Sequence, residues 1–256
     1  MMRCLLSVGW MLLLTVGCVS TDNRVVPVNE QEVADRAIEL GVAYLRQGDY
    51  TRAKDNLMKA LAIDEGSARA HNTLAIVFQQ EREFELAERY FLRAISLDPE
   101  LIAARNNYGA FLYARARPEE AVTQLRIATE DRFYERRAQA FENLGVAYLA
   151  LGDQDAARAA FERATALDAR LPRTLLELAT LNFKEQDYTR ARDFFLRHRA
   201  LSADSSRSLY LCTQIYDIFL ESNQRDQCAA DLIRIFPASE GAKALREASS
   251  LEARNE

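Results

Sequence analysis

The sequence predicts an all-α fold in which helical hairpins stack into a superhelix, and three observations predict it. The stretch from 138 to 171 can be laid over other parts of the chain at a spacing of 34 residues, with one step of 36. The superposed positions agree in type: Leu144-Gly145 with Leu40-Gly41 and Leu74-Ala75, Tyr148 with Tyr44 and Phe78, Ala157 with Ala53, Ala87, Ala121 and Ala191, Phe161 with Leu57, Phe91, Leu125 and Phe195. Composition points the same way. Nine glycines, five prolines, 49% apolar and 28% charged residues suit a helical array and argue against collagen-like or disordered chains.

A period of 34 with these residue types is that of the tetratricopeptide repeat. Each copy holds two helices joined by a tight turn such as Gln47-Gly48-Asp49 or Leu151-Gly152-Asp153. Gly145 is expected against Ala157 where the helices cross, because the side chains at a crossing set the distance between axes. Leu144, Tyr148 and Phe161 fill the space beside that crossing. One hairpin cannot bury its apolar face alone, so about six of them stack.

At the amino terminus, Arg3 precedes an apolar run (Leu5, Leu6, Val8, Trp10, Met11, Leu12, Leu13, Leu14) that ends at Gly17-Cys18. This reads as a signal peptide over residues 1–17, too short for the roughly 20 residues a bilayer-spanning helix needs. Leu14-Thr15-Val16-Gly17-Cys18 resembles the bacterial lipobox, which implies lipidation at Cys18. Val19 after the cysteine implies the outer membrane as destination. Residues 18–33, polar and containing Pro27, read as the lipidated terminus and a tether.

Six repeats are expected over 34–237, at 34–67, 68–101, 102–137, 138–171, 172–205 and a degenerate copy at 206–237. Asp98-Pro99 closes the second helix of repeat 2, since the residue before proline avoids the helical region. Pro118 opens the second helix of repeat 3, where a missing N–H costs little. The two extra residues of repeat 3 fall near 131–137. Repeat 5 departs at Asn182, where an aromatic is expected, with Phe183 beside it. Residues 238–256 read as a capping helix and tail. Cys212 and Cys228, on the two helices of repeat 6, are a candidate disulfide that an exported protein permits.

No catalytic constellation is present. His71 and His198 stand at packing positions of repeats 2 and 5, and two histidines leave little for metal or acid–base chemistry. Carboxylates such as Glu88 (beside Arg89) and Asp155 (near Arg158) read as solvated helix faces. Isolated glycines cannot cradle a phosphate. A net charge of -5 gives no basic signature for nucleic acid. No cofactor, metal or small-molecule substrate is expected. What remains is the concave groove, lined by the outward positions of each first helix: Ile38, Val42 and Leu45; Asn72, Ile76 and Gln79; Asn106, Ala110 and Tyr113; Glu142, Val146 and Leu149. An aliphatic strip with interspersed amides suits an extended peptide or a helix, the amides meeting its backbone. The lysine–asparagine clamp of cytosolic chaperone-binding repeats is absent, since Ile38, Val42, Asn72 and Ile76 hold those places.

The order of parts (lipobox, tether, six repeats) and the run Asn106-Asn107-Tyr108-Gly109-Ala110-Phe111-Leu112 resemble the PilF/PilW type IV pilus biogenesis lipoproteins. Arg36-Ala37-Ile38-Glu39-Leu40-Gly41-Val42-Ala43-Tyr44-Leu45 with Gly48-Asp49-Tyr50, and Leu175-Leu176-Glu177-Leu178-Ala179, are also similar to that family. Family members often carry cysteine where this chain has Tyr113. The resemblance implies a pilotin, not an enzyme: a lipoprotein at the periplasmic face of the outer membrane whose partner is the pilus secretin subunit. A different periplasmic scaffold for envelope assembly, built from the same repeats, is the alternative.

Overall fold

The computed structural model describes residues 29–255, which form thirteen α-helices and, among the described residues, no strand. The segment read as a signal peptide, Cys18 and the residues read as tether up to 28 lie outside the described residues. Six hairpins follow one another: α1 (Glu30–Arg46) with α2 (Tyr50–Ile63), α3 (Ala68–Gln80) with α4 (Phe84–Leu97), and α5 (Ile102–Ala114) with α6 (Pro118–Glu130). Then come α7 (Arg137–Ala150) with α8 (Gln154–Leu167), α9 (Pro172–Lys184) with α10 (Tyr188–Arg199), and α11 (Ser206–Ile218) with α12 (Ser222–Ile235). A last helix, α13 (Glu240–Asn255), packs on both helices of the sixth hairpin.

The first helix starts inside the segment read as tether, a correction with a local cause. Asn29 accepts hydrogen bonds from the Gln31 and Glu32 backbone N–H groups, so it caps α1 four residues ahead of 34, and Glu30 and Glu32 favour the positive end of the helix dipole. The same capping recurs where aspartate opens a second helix: Asp49, Asp153 and Asp187 each accept from the third residue on.

In the three hairpins with glycine at the crossing, the contact is tighter than a glycine–alanine one. A Cβ placed on Gly145 would lie 2.5–2.8 Å from the Phe161 ring, and one on Gly41 or Gly109 would strike Leu57 or Leu125 at 2.6 and 2.5 Å. The glycine therefore makes room for the large residue of the facing helix, with Ala157 fully buried nearby. Leu57, Phe91, Leu125, Phe161 and Phe195 are all wholly buried and form a line of anchors, one in each of the first five hairpins. Asn182 donates its Nδ2 to the Leu178 carbonyl at 2.7 Å, satisfying its own amide in the core, and Phe183 meets Tyr188 edge-on at 5.2 Å. The connection from α6 to α7 spans 131–136, held by the Asp131 carboxylate accepting from the Phe133 N–H at 2.8 Å.

The sixth hairpin is joined internally by a disulfide between Cys212 and Cys228, whose Cα atoms are 6.0 Å apart. Both sulfurs lie in the apolar cluster that includes Leu209, Ile215, Leu232 and, from α13, Ala242.

Candidate functional site

First helices pack on one another (α1 on α3, α3 on α5, α5 on α7 and α9 on α11) as well as on the second helix between them, whereas second helices do not do so to a comparable extent. The stack therefore curves with α1, α3, α5, α7, α9 and α11 on its inner face. Of the positions expected in the groove, Val42, Leu45, Ile76, Gln79, Ala110, Tyr113 and Leu149 are half-exposed there.

The other five expected positions do different work. Ile38 is only 2% exposed and belongs to the core with Leu57 and Leu74. Val146 is packed with Phe161 and Leu178 and forms floor, not wall. Asn72 and Asn106, 9% and 6% exposed, do not wait for a partner's backbone. The Asn72 Oδ1 accepts from Asn107 Nδ2 at 3.1 Å and the Asn106 Oδ1 accepts from Asn143 Nδ2 at 3.2 Å, so each amide ties one repeat to the next. Glu142 continues the series, its Oε2 accepting from the Thr174 N–H at 3.1 Å and hydroxyl at 2.6 Å and so capping α9. The physical reason is burial: a polar group between stacked hairpins must be satisfied there or cost about 1–3 kcal/mol.

The groove widens between repeats 3 and 6 into a cavity of about 870 Å³. Tyr113, Leu149 and Leu176 line it together with Arg173, Glu177, Lys184 and Arg207. Glu177 grips Arg207 through both oxygens at 2.5 and 2.6 Å, and the Arg207 Nη2 also donates to the Thr180 hydroxyl at 3.0 Å. Glu177's hydrogen bond holds the Arg207 guanidinium more firmly protonated than usual, against a smaller opposing effect of burial. Arg173 lies over the Tyr113 ring at 5.9 Å. Sequence reasoning stopped at repeat 4 and missed these residues; the period carries its position 142 to 176, whereas 173, 177, 184 and 207 repeat no expected groove position.

On the flank of the stack, carboxylates read as solvated instead cross between hairpins. Glu88 accepts from the Tyr108 hydroxyl at 2.8 Å and from Arg117 at 2.7 Å, and Arg158 meets Glu185 of the next repeat at 2.5 Å rather than Asp155. Burial, then the bond to Glu88, pushes the Tyr108 phenol up to about 12. Both histidines are packing residues. The His71 Nδ1–H donates to the Ser67 carbonyl at 3.0 Å, and the His198 Nδ1–H donates to the Pro172 carbonyl at 2.9 Å, tying the end of α10 to the start of α9. Among the described residues no group of His, Cys, Asp and Glu is placed to hold a metal, and no helix is long and apolar enough to cross a membrane.

A superhelix of hairpins with a polypeptide-sized groove is the form of a tetratricopeptide-repeat protein, and models of that repeat match residues 38–102, 138–170 and 155–206. The chain is 35% identical over 226 residues to the type IV pilus assembly protein PilF of Pseudomonas aeruginosa, covering 87% of this chain and 90% of that one. The solved P. aeruginosa PilF structure superposes with a TM-score of 0.84 at 34% identity, covering 86% of this chain and 99% of that one. That of PilW, described as a widely conserved type IV pilus biogenesis factor, gives 0.72 at 25% identity, covering 84% and 98%. The chain belongs to the PilF/PilW family of tetratricopeptide-repeat proteins. Neither the repeat models nor these relatives indicate an enzymatic family.

Proposed function

We propose that this chain is a scaffold of type IV pilus assembly, anchored through a lipid on Cys18 to the periplasmic face of the outer membrane, that binds the pilus secretin subunit and promotes its assembly into multimers. The observation that carries the reading is the likeness to P. aeruginosa PilF over most of both chains. It is supported by a groove whose aliphatic residues Val42, Leu45 and Ile76 are half-exposed among the described residues, and by the lipobox-like run ending at Cys18. The mechanism is tethering. A lipid holds the repeats at the leaflet, the groove captures a secretin segment, and the raised effective concentration drives multimer formation without chemistry.

In cells, Cys18→Ala is expected to release the protein from the membrane fraction and to cut secretin multimers sharply. Val42→Asp with Ile76→Asp is expected to leave the anchor intact and lose co-purification of the secretin subunit. Full multimer assembly by the unanchored form would disprove tethering, and undiminished secretin capture by the double variant would disprove the aliphatic half of the groove as its binding face.

A further inference from the structure

The concave groove changes character along its length. In repeats 1 and 2 its half-exposed positions are aliphatic or amide, and the charged pair nearby, Arg69 and Asp35, is closed on itself at 3.1 Å. In the larger cavity farther along, three cations stand against one acid, on a chain whose net charge is -5. The local sign is therefore opposite to that of the whole molecule.

The single acid is already engaged. Glu177 neutralises Arg207 in a two-pronged pair, which leaves Arg173 and Lys184 as the active excess. Neither has a carboxylate within salt-bridge distance among the described residues, whereas Arg207 beside them and Arg158 and Arg192 on the flank do. The Arg173 guanidinium is held by the face of Tyr113, a contact that positions a cation without using its N–H donors. Between the two charges the floor is apolar, formed by Leu149 and Leu176.

We propose that this half of the groove is a separate subsite for an acidic segment of polypeptide. Its carboxylates pair with Arg173 and Lys184, and an apolar side chain between them lies on Leu149 and Leu176. The inference rests on the reading of the groove as a polypeptide-binding surface and adds the chemistry of the ligand. Spacing gives it a length. Positions 173 and 184 are eleven residues apart on α9, about 16 Å along a helix rising 1.5 Å per residue. An extended chain covers that distance in about five residues at roughly 3.3 Å each. The segment is thus an acid, about four residues with at least one aliphatic, and a second acid. A concave floor suits a chain and not a bilayer, whose flat surface meets only the rims.

The test is fluorescence anisotropy with a labelled hexapeptide carrying glutamate at both ends and leucines between, against the same peptide with glutamine ends. The glutamate peptide is expected to bind at least about tenfold tighter, with affinity falling as salt rises from about 0.05 to about 0.5 M because the pairs are solvent-accessible. Arg173→Glu with Lys184→Glu, both exposed and remote from the core, is expected to abolish that preference while circular dichroism and melting stay unchanged. Equal binding of the two peptides, no binding of either, or an unaltered preference in the double variant overturns the proposal. So does binding of wild type, but not of the double variant, to phosphatidylglycerol vesicles without peptide binding. Secretin capture by the wild-type protein reports on the function separately. Capture without acidic-peptide binding removes the subsite alone, and peptide binding without capture removes the pilus reading alone.

Discussion

Six turn residues, one per hairpin and each at the same register, sit in the left-handed region: Gly48, Arg82, Ala116, Gly152, Gln186 and Leu220. Only two are glycine, so closing the hairpin imposes the conformation whatever residue stands there. The four others carry a strain of about 1–2 kcal/mol each, the cost of bringing a Cβ against the following carbonyl. At Leu220, 90% exposed, no packing is lost on removing the side chain. Leu220→Gly is therefore expected to raise stability by about 0.5–1 kcal/mol, relief of strain less the extra freedom glycine gains when unfolded. Gly152→Ala is expected to lower it by about 1 kcal/mol, although no atom lies within 4 Å of the added Cβ. Urea titrations of the two variants check both signs, and a stabilised Gly152→Ala would show that this turn is not strained. Glycine at 48 and 152 announces the turn in the sequence. Arg82 and Gln186 do not, because their conformation is dictated from outside the residue.

Between hairpins the bonding is more polar than the repeat pattern implies. Lys54 meets Glu81 at 2.6 Å, Arg117 meets Glu88 at 2.7 Å, Arg158 meets Glu185 at 2.5 Å and Arg192 meets Glu221 at 2.5 Å, each pair joining one repeat to the next along the flank. The asparagines and Glu142 form a parallel line on the inner face. Helix number, order and crossing residues were legible because apolar spacing dictates them. The destinations of Asn72, Asn106, Glu88 and Glu142 were not, since a polar residue at one position bonds to whatever the next repeat presents 20–37 residues later. Tyr108 gives this layer a measurable signature. Its phenol, raised from its ordinary 10 to about 12, favours the folded state while protonated. The contribution is complete below about pH 10 and is lost as pH climbs through about 12, some 2–3 kcal/mol for a shift of this size. Tyr108→Phe is expected to be less stable at neutral pH and to lose this extra loss of stability between about pH 10 and 12, as denaturation at successive pH values would record. A wild type and variant falling in parallel across that window would refute the assignment.

At the scale of the whole molecule, stability is close to a sum of hairpins and nearest-neighbour interfaces, so the ends are where the stack opens. The carboxyl-terminal end is its most irregular part. The sixth hairpin has Thr213 where others have glycine or alanine at the crossing and Arg225 in place of the buried alanine. Its core is instead held by the Cys212–Cys228 disulfide and by α13, which lays Ala242 and Leu245 on it. The crosslink closes a separation of 16 residues, for which loss of chain entropy in the unfolded state predicts about 3 kcal/mol. In a globular domain that loss would spread through one cooperative core. In a linear stack it belongs to the last unit. Cys212→Ala with Cys228→Ala is therefore expected to lower the protection of backbone amides against hydrogen exchange in α11, α12 and α13, with repeats 1 to 4 keeping wild-type rates. The basic half of the groove borders this end, since Arg207 stands in α11 and its partner Glu177 in α9. The same variant should weaken the acidic-peptide subsite while sparing Val42 and Ile76. Uniform loss of protection from α1 to α13 would mean that the stack folds as one unit, and the two halves of the groove would then not be separable by stability.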